Sequence, residues 1–280
     1  MTSIPYKILE AVIKDHVICY LENHELLSRD QHGFRHKRSC TSQFLEVLNE
    51  WSISLDESDT IDVIYLDFKK AFDSVPHQRL LSKLEHYGIS GNLKLWIAFF
   101  LTGRSQRVVV RGCHSPWAPV LSGVNQGSVL VPVLFILYIN DLPDSVQSSI
   151  KIFADDTKIY HTVSDNSGHR LLQQDLDAVV EWSKLWQLPF NELKCKSLHA
   201  GPGNPGHRNT MQGHIIETAT EENDLWVSLD SNLKFRKQAA IAASKGNQML
   251  AQLRRSFLSM DRITLSLFLQ DSGKASPGVW

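Results

Sequence analysis

Ile150-Lys151-Ile152-Phe153-Ala154-Asp155-Asp156-Thr157-Lys158-Ile159-Tyr160-His161 sets two adjacent carboxylates inside an apolar run rich in β-branched and aromatic residues. Each flank reads as a short strand, so the acidic pair sits at a hairpin turn. Neighbouring carboxylates repel unless a cation lies between them, which points to metal binding. Asp-Asp is also an ordinary surface turn dipeptide, and this stretch alone leaves both readings open.

Upstream, Ile61-Asp62-Val63-Ile64-Tyr65-Leu66-Asp67 reads as a buried strand ending in an aspartate. If the three strands share a sheet, Asp67, Asp155 and Asp156 converge at one edge. Such an edge can hold two divalent cations ~3.5–4 Å apart for phosphoryl transfer. Mg²⁺ takes oxygen ligands and keeps open positions for phosphates, so a site of two or three aspartates is chemically sensible. Between the aspartates, Ser122-Gly123-Val124-Asn125-Gln126-Gly127-Ser128 opens onto a very apolar helix expected over 128–141. A helix N-terminus suits a phosphate or a base edge, and Gly127 lets a ligand approach the backbone. The loop also reads as a plain glycine turn with Ser128 as helix N-cap.

The chain has 280 residues, 42% hydrophobic and 21% charged, with net charge −1. That is a globular composition, with length for one large domain or two smaller ones. No apolar run reaches the ~18–20 residues of a membrane span, and no signal peptide is expected. Cys19, Cys40, Cys113 and Cys195 lack the spacing of a zinc site or a disulfide framework. Basic residues gather at 29–38 and 234–262. Either stripe could meet a phosphate backbone or simply be a solvated face.

Periodicity predicts helices over 4–22 (Leu9, Val12, Ile13, His16, Val17 and Tyr20 inward), 41–55 (Phe44, Leu45, Leu48, Trp51) and 91–101 (Leu95, Trp96, Phe99). It predicts another, amphipathic helix over 168–187. Pro76 suits the first turn of a helix carrying Leu80, Leu81 and Leu84. Residues 106–112 and 117–121 read as paired strands, and 195–199 as a short strand. Gly, Pro and Asn crowd 201–214, which marks the best boundary. One more helix follows, with Ala239, Ala243, Leu250, Leu253 and Phe257 on one face.

Taken in order, Tyr65-Leu66-Asp67-Phe68-Lys69-Lys70-Ala71-Phe72-Asp73, Gln126-Gly127-Ser128 and Phe153-Ala154-Asp155-Asp156 resemble the three catalytic motifs of reverse transcriptases. The chain is most similar to LINE-type (non-LTR) retrotransposon enzymes of the jockey-like kind. Gln31-His32-Gly33-Phe34-Arg35, Phe72-Asp73-Ser74-Val75-Pro76-His77, Tyr138-Ile139-Asn140-Asp141-Leu142-Pro143 and Asn191 with Lys194-Cys195-Lys196 support that subfamily. The resemblance covers about residues 2–268.

It implies an α+β right-hand polymerase with an antiparallel palm sheet backed by helices. Partial fingers would span 1–60 and a palm with inserted fingers elements 61–200. A linker would occupy 201–214, and a truncated thumb with a degenerate tail 215–280. The implied activity is RNA-directed DNA polymerisation, with an RNA template, a DNA primer and dNTPs as partners, and Mg²⁺ (two ions, Mn²⁺ as substitute) as cofactor. Asp67, Asp155 and Asp156 would be the catalytic, metal-holding carboxylates. Phe72 would pack under the sugar, Gln126 and Gly127 would line the nucleotide pocket, and Lys194 would approach the triphosphate. Arg35 would contact template or nucleotide. The resemblance implies a nuclear or cytoplasmic protein and is silent on oligomeric state.

Some positions depart from the family pattern. Asn125 stands where the family has Pro, and Val131 and Trp226 stand where it has Gly. The family's upstream Arg-Pro-Ile-Ser segment and an endonuclease domain are absent from the sequence. These departures support a second reading, a catalytically dead, truncated remnant that at most binds nucleic acid. A two-metal nuclease or an untemplated nucleotidyltransferase would leave the Gln-Gly-Ser loop unexplained.

Overall fold

The computed structural model describes residues 4–124, 127–163 and 168–256. The chain begins with two helices, α1 (Ile4–Asn23) and α2 (Cys40–Asp56), which lead into strand β1 (Thr60–Leu66). Next come α3 (Ala71–Ser74), α4 (His77–His86) and α5 (Gly91–Leu101). A projecting ribbon is built from β2 (Ser105–Gln106), β3 (Val109–Val110), β4 (Cys113–His114) and β5 (Ala118–Pro119). Helix α6 (Val131–Tyr138) precedes the hairpin of β6 (Ser149–Phe153) and β7 (Asp156–Val163). Then follow α7 (Gly168–Trp186), β8 (Lys196–Ala200), β9 (Thr210–Met211), β10 (His214–Ile215) and β11 (Glu217–Ala219). A second hairpin, β12 (Glu221–Asp224) and β13 (Val227–Asp230), leads to α8 (Arg236–Ser256).

Five strands form the main sheet in the order β11-β8-β1-β7-β6. The β8-β1-β7-β6 pairings are antiparallel, as expected, and β11 adds a parallel edge beside β8. β1 lies at the centre and is buried on both faces, which is why it reads as a continuous apolar run. Ile64, Leu66, Ile152 and Ile159 face the larger core with α1, α4, α5, α6 and α7. Ile61, Val63 and Leu198 face the smaller core with Val47 and Trp51 of α2 and Leu229 of β13. Every residue of α6 except Pro132 is buried, whereas α7 buries only a stripe of Leu172, Leu176, Val179 and their neighbours.

Several sequence expectations need correcting. α5 turns Ile97, Phe100 and Leu101 inward and leaves Leu95 and Phe99 exposed. Its sequence is apolar nearly all round, so periodicity selects no face. α1 buries Glu10, Val17 and Leu21 while Leu9 and Val12 face solvent. Glu10 is drawn inward because its carboxylate accepts hydrogen bonds from the Ser128 hydroxyl and from Val129 N (2.8 Å). α2 buries Gln43, Val47 and Trp51, with Leu45 exposed. α6 is shorter than expected, and Leu130, not Ser128, is its N-cap residue. The 201–214 stretch is tied to the main sheet and the larger core. Asn204 Nδ2 donates to the Ile61 carbonyl (3.2 Å) and to Asp62 Oδ1 (2.9 Å), and Met211 is buried in the larger core. The strand that follows then joins the main sheet.

Among the described residues, no helix is long and apolar enough to cross a membrane.

Candidate active site

β1 pairs with β7 in a register that sets Leu66 opposite Thr157, so Asp67 emerges beside the start of β7. The β6–β7 hairpin closes on the Phe153–Asp156 pair and leaves Ala154 and Asp155 as a two-residue turn. Ala154 holds a left-handed φ of +57° there. The expected convergence of strand end and turn is therefore present. Burial, followed by the Asp67 charge, raises the pKa of Asp155. Asp156 stands at the solvent rim, yet desolvation and then Asp155, Asp224 and Asp67 push its pKa up to about 6.

Asp67 is fixed by the segment before β8. Its N–H donates to Cys195 Sγ (3.5 Å), and its carbonyl accepts from Asn191 N (2.7 Å). Lys69 N donates to the Pro189 carbonyl (2.8 Å), and the rings of Phe68 and Phe190 stack with centroids 4.4 Å apart. This stitching carries Lys194 Nζ to 3.8 Å from Asp67 Oδ2. Lys194 remains mostly exposed.

The loop before α6 is tied to the turn after β1. Val124 N donates to the Phe72 carbonyl and Gly123 N to the Val75 carbonyl, both at 2.8 Å. A Cβ on Gly123 would lie 2.6 Å from the Asp73 carbonyl oxygen, so this close approach needs glycine. Phe72 is half-buried against Phe135, with ring centroids 4.4 Å apart. Gly127 has a φ of +89° with open space where a Cβ would stand. Asn125 and Gln126 lie outside the described residues. Val131 fits without conflict inside the larger core.

Asp67, Asp155, Asp156 and Lys194 are thus brought together, with Phe72 and Gly127 on elements joined to that end of β1. Arg35 is engaged within its own loop. Its guanidinium donates to the carbonyls of Ser28 (2.6 Å) and Gln31 (3.3 Å) within its own loop.

Two further residues line the same cleft and were not singled out from sequence. Lys158 of β7 and Asp224 at the end of β12 form an ion pair, both side chains buried. Desolvation lowers the Lys158 pKa, and the Asp224 carboxylate opposes that shift. The available signal was a lysine within an otherwise apolar strand flank, and nothing local pointed to its partner. Beyond Asp224, Leu225 (φ +47°) and Trp226 (φ +73°) form the hairpin tip in left-handed conformations. Trp226 is 73% exposed, so space does not limit it. Its φ explains the family's glycine.

Among the described residues, no group of three or more His, Cys, Asp or Glu side chains is close enough to hold a metal ion. The donor chemistry does fit a hard divalent cation. It offers carboxylate oxygens, and the Asp67 charge raises the cost of ionising Asp155 and Asp156.

The family model for reverse transcriptase (RNA-dependent DNA polymerase) matches residues 1–257. The RNA-directed DNA polymerase from mobile element jockey of Drosophila funebris is 29% identical over 82% of the chain, and that of Drosophila melanogaster 28% over 93%. A probable RNA-directed DNA polymerase from transposon BS of Drosophila melanogaster is 26% identical over 89%. The chain spans only 26% to 29% of the length of these relatives. Among solved structures, apo telomerase from Candida tropicalis superposes with a TM-score of 0.55 at 9% identity, covering 83% of this chain and 40% of that one. The same telomerase in complex with a fragment of telomeric RNA gives 0.54 at 10% identity, covering 81% and 37%. At that identity the likeness concerns the fold, which is the polymerase fold expected from the motifs. With the family model spanning nearly all of the described chain, and jockey-type mobile-element polymerases among its relatives, this chain belongs to the reverse transcriptase family.

Proposed function

We propose that this chain is the RNA-directed DNA polymerase domain of a non-LTR retrotransposon and extends a DNA primer on an RNA template with dNTPs. The convergence of Asp67 with the Asp155–Asp156 turn carries this reading. Asp67 and Asp155 would hold two Mg²⁺ ions, or Mn²⁺ in their place, with Asp156 completing the acidic rim. Ions held there would supply positive charge against the attacking 3′-oxygen and the departing pyrophosphate. Lys194, exposed beside Asp67, offers a cation to the triphosphate. Phe72, leaning on Phe135, narrows the room near the sugar, which would disfavour a 2′-OH. The open backbone at Gly127 leaves space for a nucleotide, and Gln126 would line the same pocket. Residues 1–60 would then belong to the fingers, 61–200 to the palm and 215 onward to the thumb.

Primer extension on a primed RNA template with dNTPs and Mg²⁺ tests the proposal. Wild type should incorporate nucleotides, and Asp155→Asn with Asp156→Asn should reduce the rate by ~10²-fold or more. Activity surviving in the double variant would reject the assignment. The strained Leu225–Trp226 turn favours one second reading, a chain that binds nucleic acid without extending it. That reading predicts RNA affinity that falls with salt and no incorporation.

A further inference from the structure

The acidic turn is backed by a loop far away in sequence. Gln31 bridges Ile152 in parallel fashion, His32 N donates to the Ile152 carbonyl (2.8 Å), and Ile152 N donates to the Asp30 carbonyl (2.9 Å). β6 therefore gains a backbone partner immediately before the turn. The Gln31 side chain is buried, and its Oε1 accepts from Gly33 N (2.7 Å) and Ala154 N (3.1 Å). Both partners are N–H donors, which fixes the orientation of the amide. A Cβ on Gly33 would stand 2.5 Å from Ala154 N, so only glycine allows the loop to close on the turn. Arg35 clamps this loop from behind through the Ser28 and Gln31 carbonyls. Ala154 is itself buried and left-handed, so without Oε1 its N–H would have no acceptor at a strained position.

We propose that Gln31 is a positioning residue. Its side-chain carbonyl anchors the Ala154 N–H and so sets the direction in which Asp155 and Asp156 leave the turn. The catalytic consequence rests on the polymerase reading, whereas the bracing does not. Among the described residues Gln31 Nε2 has no hydrogen-bond partner, so the brace needs the acceptor alone. This separates two near-isosteric variants, since Gln31→Met removes the acceptor and Gln31→Glu keeps it.

Amide hydrogen exchange on the whole chain reads the brace directly. In Gln31→Met the Ala154 amide should exchange about tenfold faster or more, while amides of the β1–β7 ladder keep wild-type rates. In Gln31→Glu it should stay within about threefold of wild type. In primer extension, Gln31→Met should lose about tenfold or more in kcat with the dNTP KM held within about threefold, and Gln31→Glu should recover kcat. Unchanged Ala154 exchange in Gln31→Met, loosening spread evenly over the ladder, or a released turn with unchanged kcat would each overturn the proposal. If wild type itself extends no primer, the polymerase reading fails on its own, and the exchange comparison alone decides the brace.

Discussion

Two hairpin turns meet at the cleft and are built in opposite ways. The Ala154–Asp155 turn holds one residue left-handed and is braced from outside by Gln31, Gly33 and the backbone of residues 30–32. The Leu225–Trp226 turn holds two bulky residues left-handed, with Trp226 standing in solvent. Each turn adjoins an aspartate that lines the cleft, Asp156 in one and Asp224 in the other. The braced turn presents carboxylates still open to a cation. In the other, Lys158 already pairs with the aspartate, so this hairpin is held to the sheet by that ion pair and by Leu229 in the smaller core. Strain is tolerated where neighbouring elements over-determine the backbone, as they do at the Ala154–Asp155 turn.

Breaking the ionic lock should have the largest effect on stability. Lys158→Met alone should cost about 3–5 kcal/mol, because Asp224 would stay buried without its partner. Adding Asp224→Leu should recover most of that loss in urea denaturation. A single-variant cost below ~1 kcal/mol would mean that the second hairpin is held some other way. Gly33→Ala forces a methyl against Ala154 N and should cost about 1–3 kcal/mol, lowering the urea midpoint.

The bracing loop should also give the braced turn an acid limit. Burial, and then the Arg38 guanidinium, lower the His32 pKa to about 4. An unfolded histidine titrates near 6.5, so unfolding takes up a proton between those values. The stabilisation is complete above about pH 6.5 and drains away as pH falls through about 4. His32→Gln should flatten the urea midpoint across that window, and an unchanged slope would remove His32 as the cause. The smallest effect belongs to the unbraced tip. Trp226→Gly relieves a left-handed φ at some cost in chain entropy, for a net stabilisation of about 0.5–1 kcal/mol by thermal unfolding.

The braced region was far more legible in the sequence than the other. β1, the acidic hairpin and α7 carry strong local signals, an apolar run, an Asp-Asp turn and a 3.6-residue stripe. The motif resemblance then selected Asp67, Asp155, Asp156 and Lys194, which the fold brings together. The faces of α1 and α5 are not legible locally, since Glu10 is pulled inward by Ser128 and Val129, and α5 is apolar nearly all round. Glycine and proline at 201–214 mark where the chain turns but not what it turns against. The Lys158–Asp224 pair joins residues 66 positions apart, and no local pattern encodes such a contact. A basic loop residue such as Arg35 carries no local sign of the carbonyls it meets.

Whether Asp67 and the braced turn form a nucleotidyl-transfer centre is tested most directly by single-turnover dNTP incorporation on a primed RNA template. Wild type, Asp67→Asn and Trp226→Gly should be compared at matched folded fractions. Incorporation should fall by ~10²-fold or more in Asp67→Asn and hold at or above the wild-type rate in Trp226→Gly. Incorporation by Asp67→Asn within a few-fold of wild type would show that Asp67 is no part of such a centre.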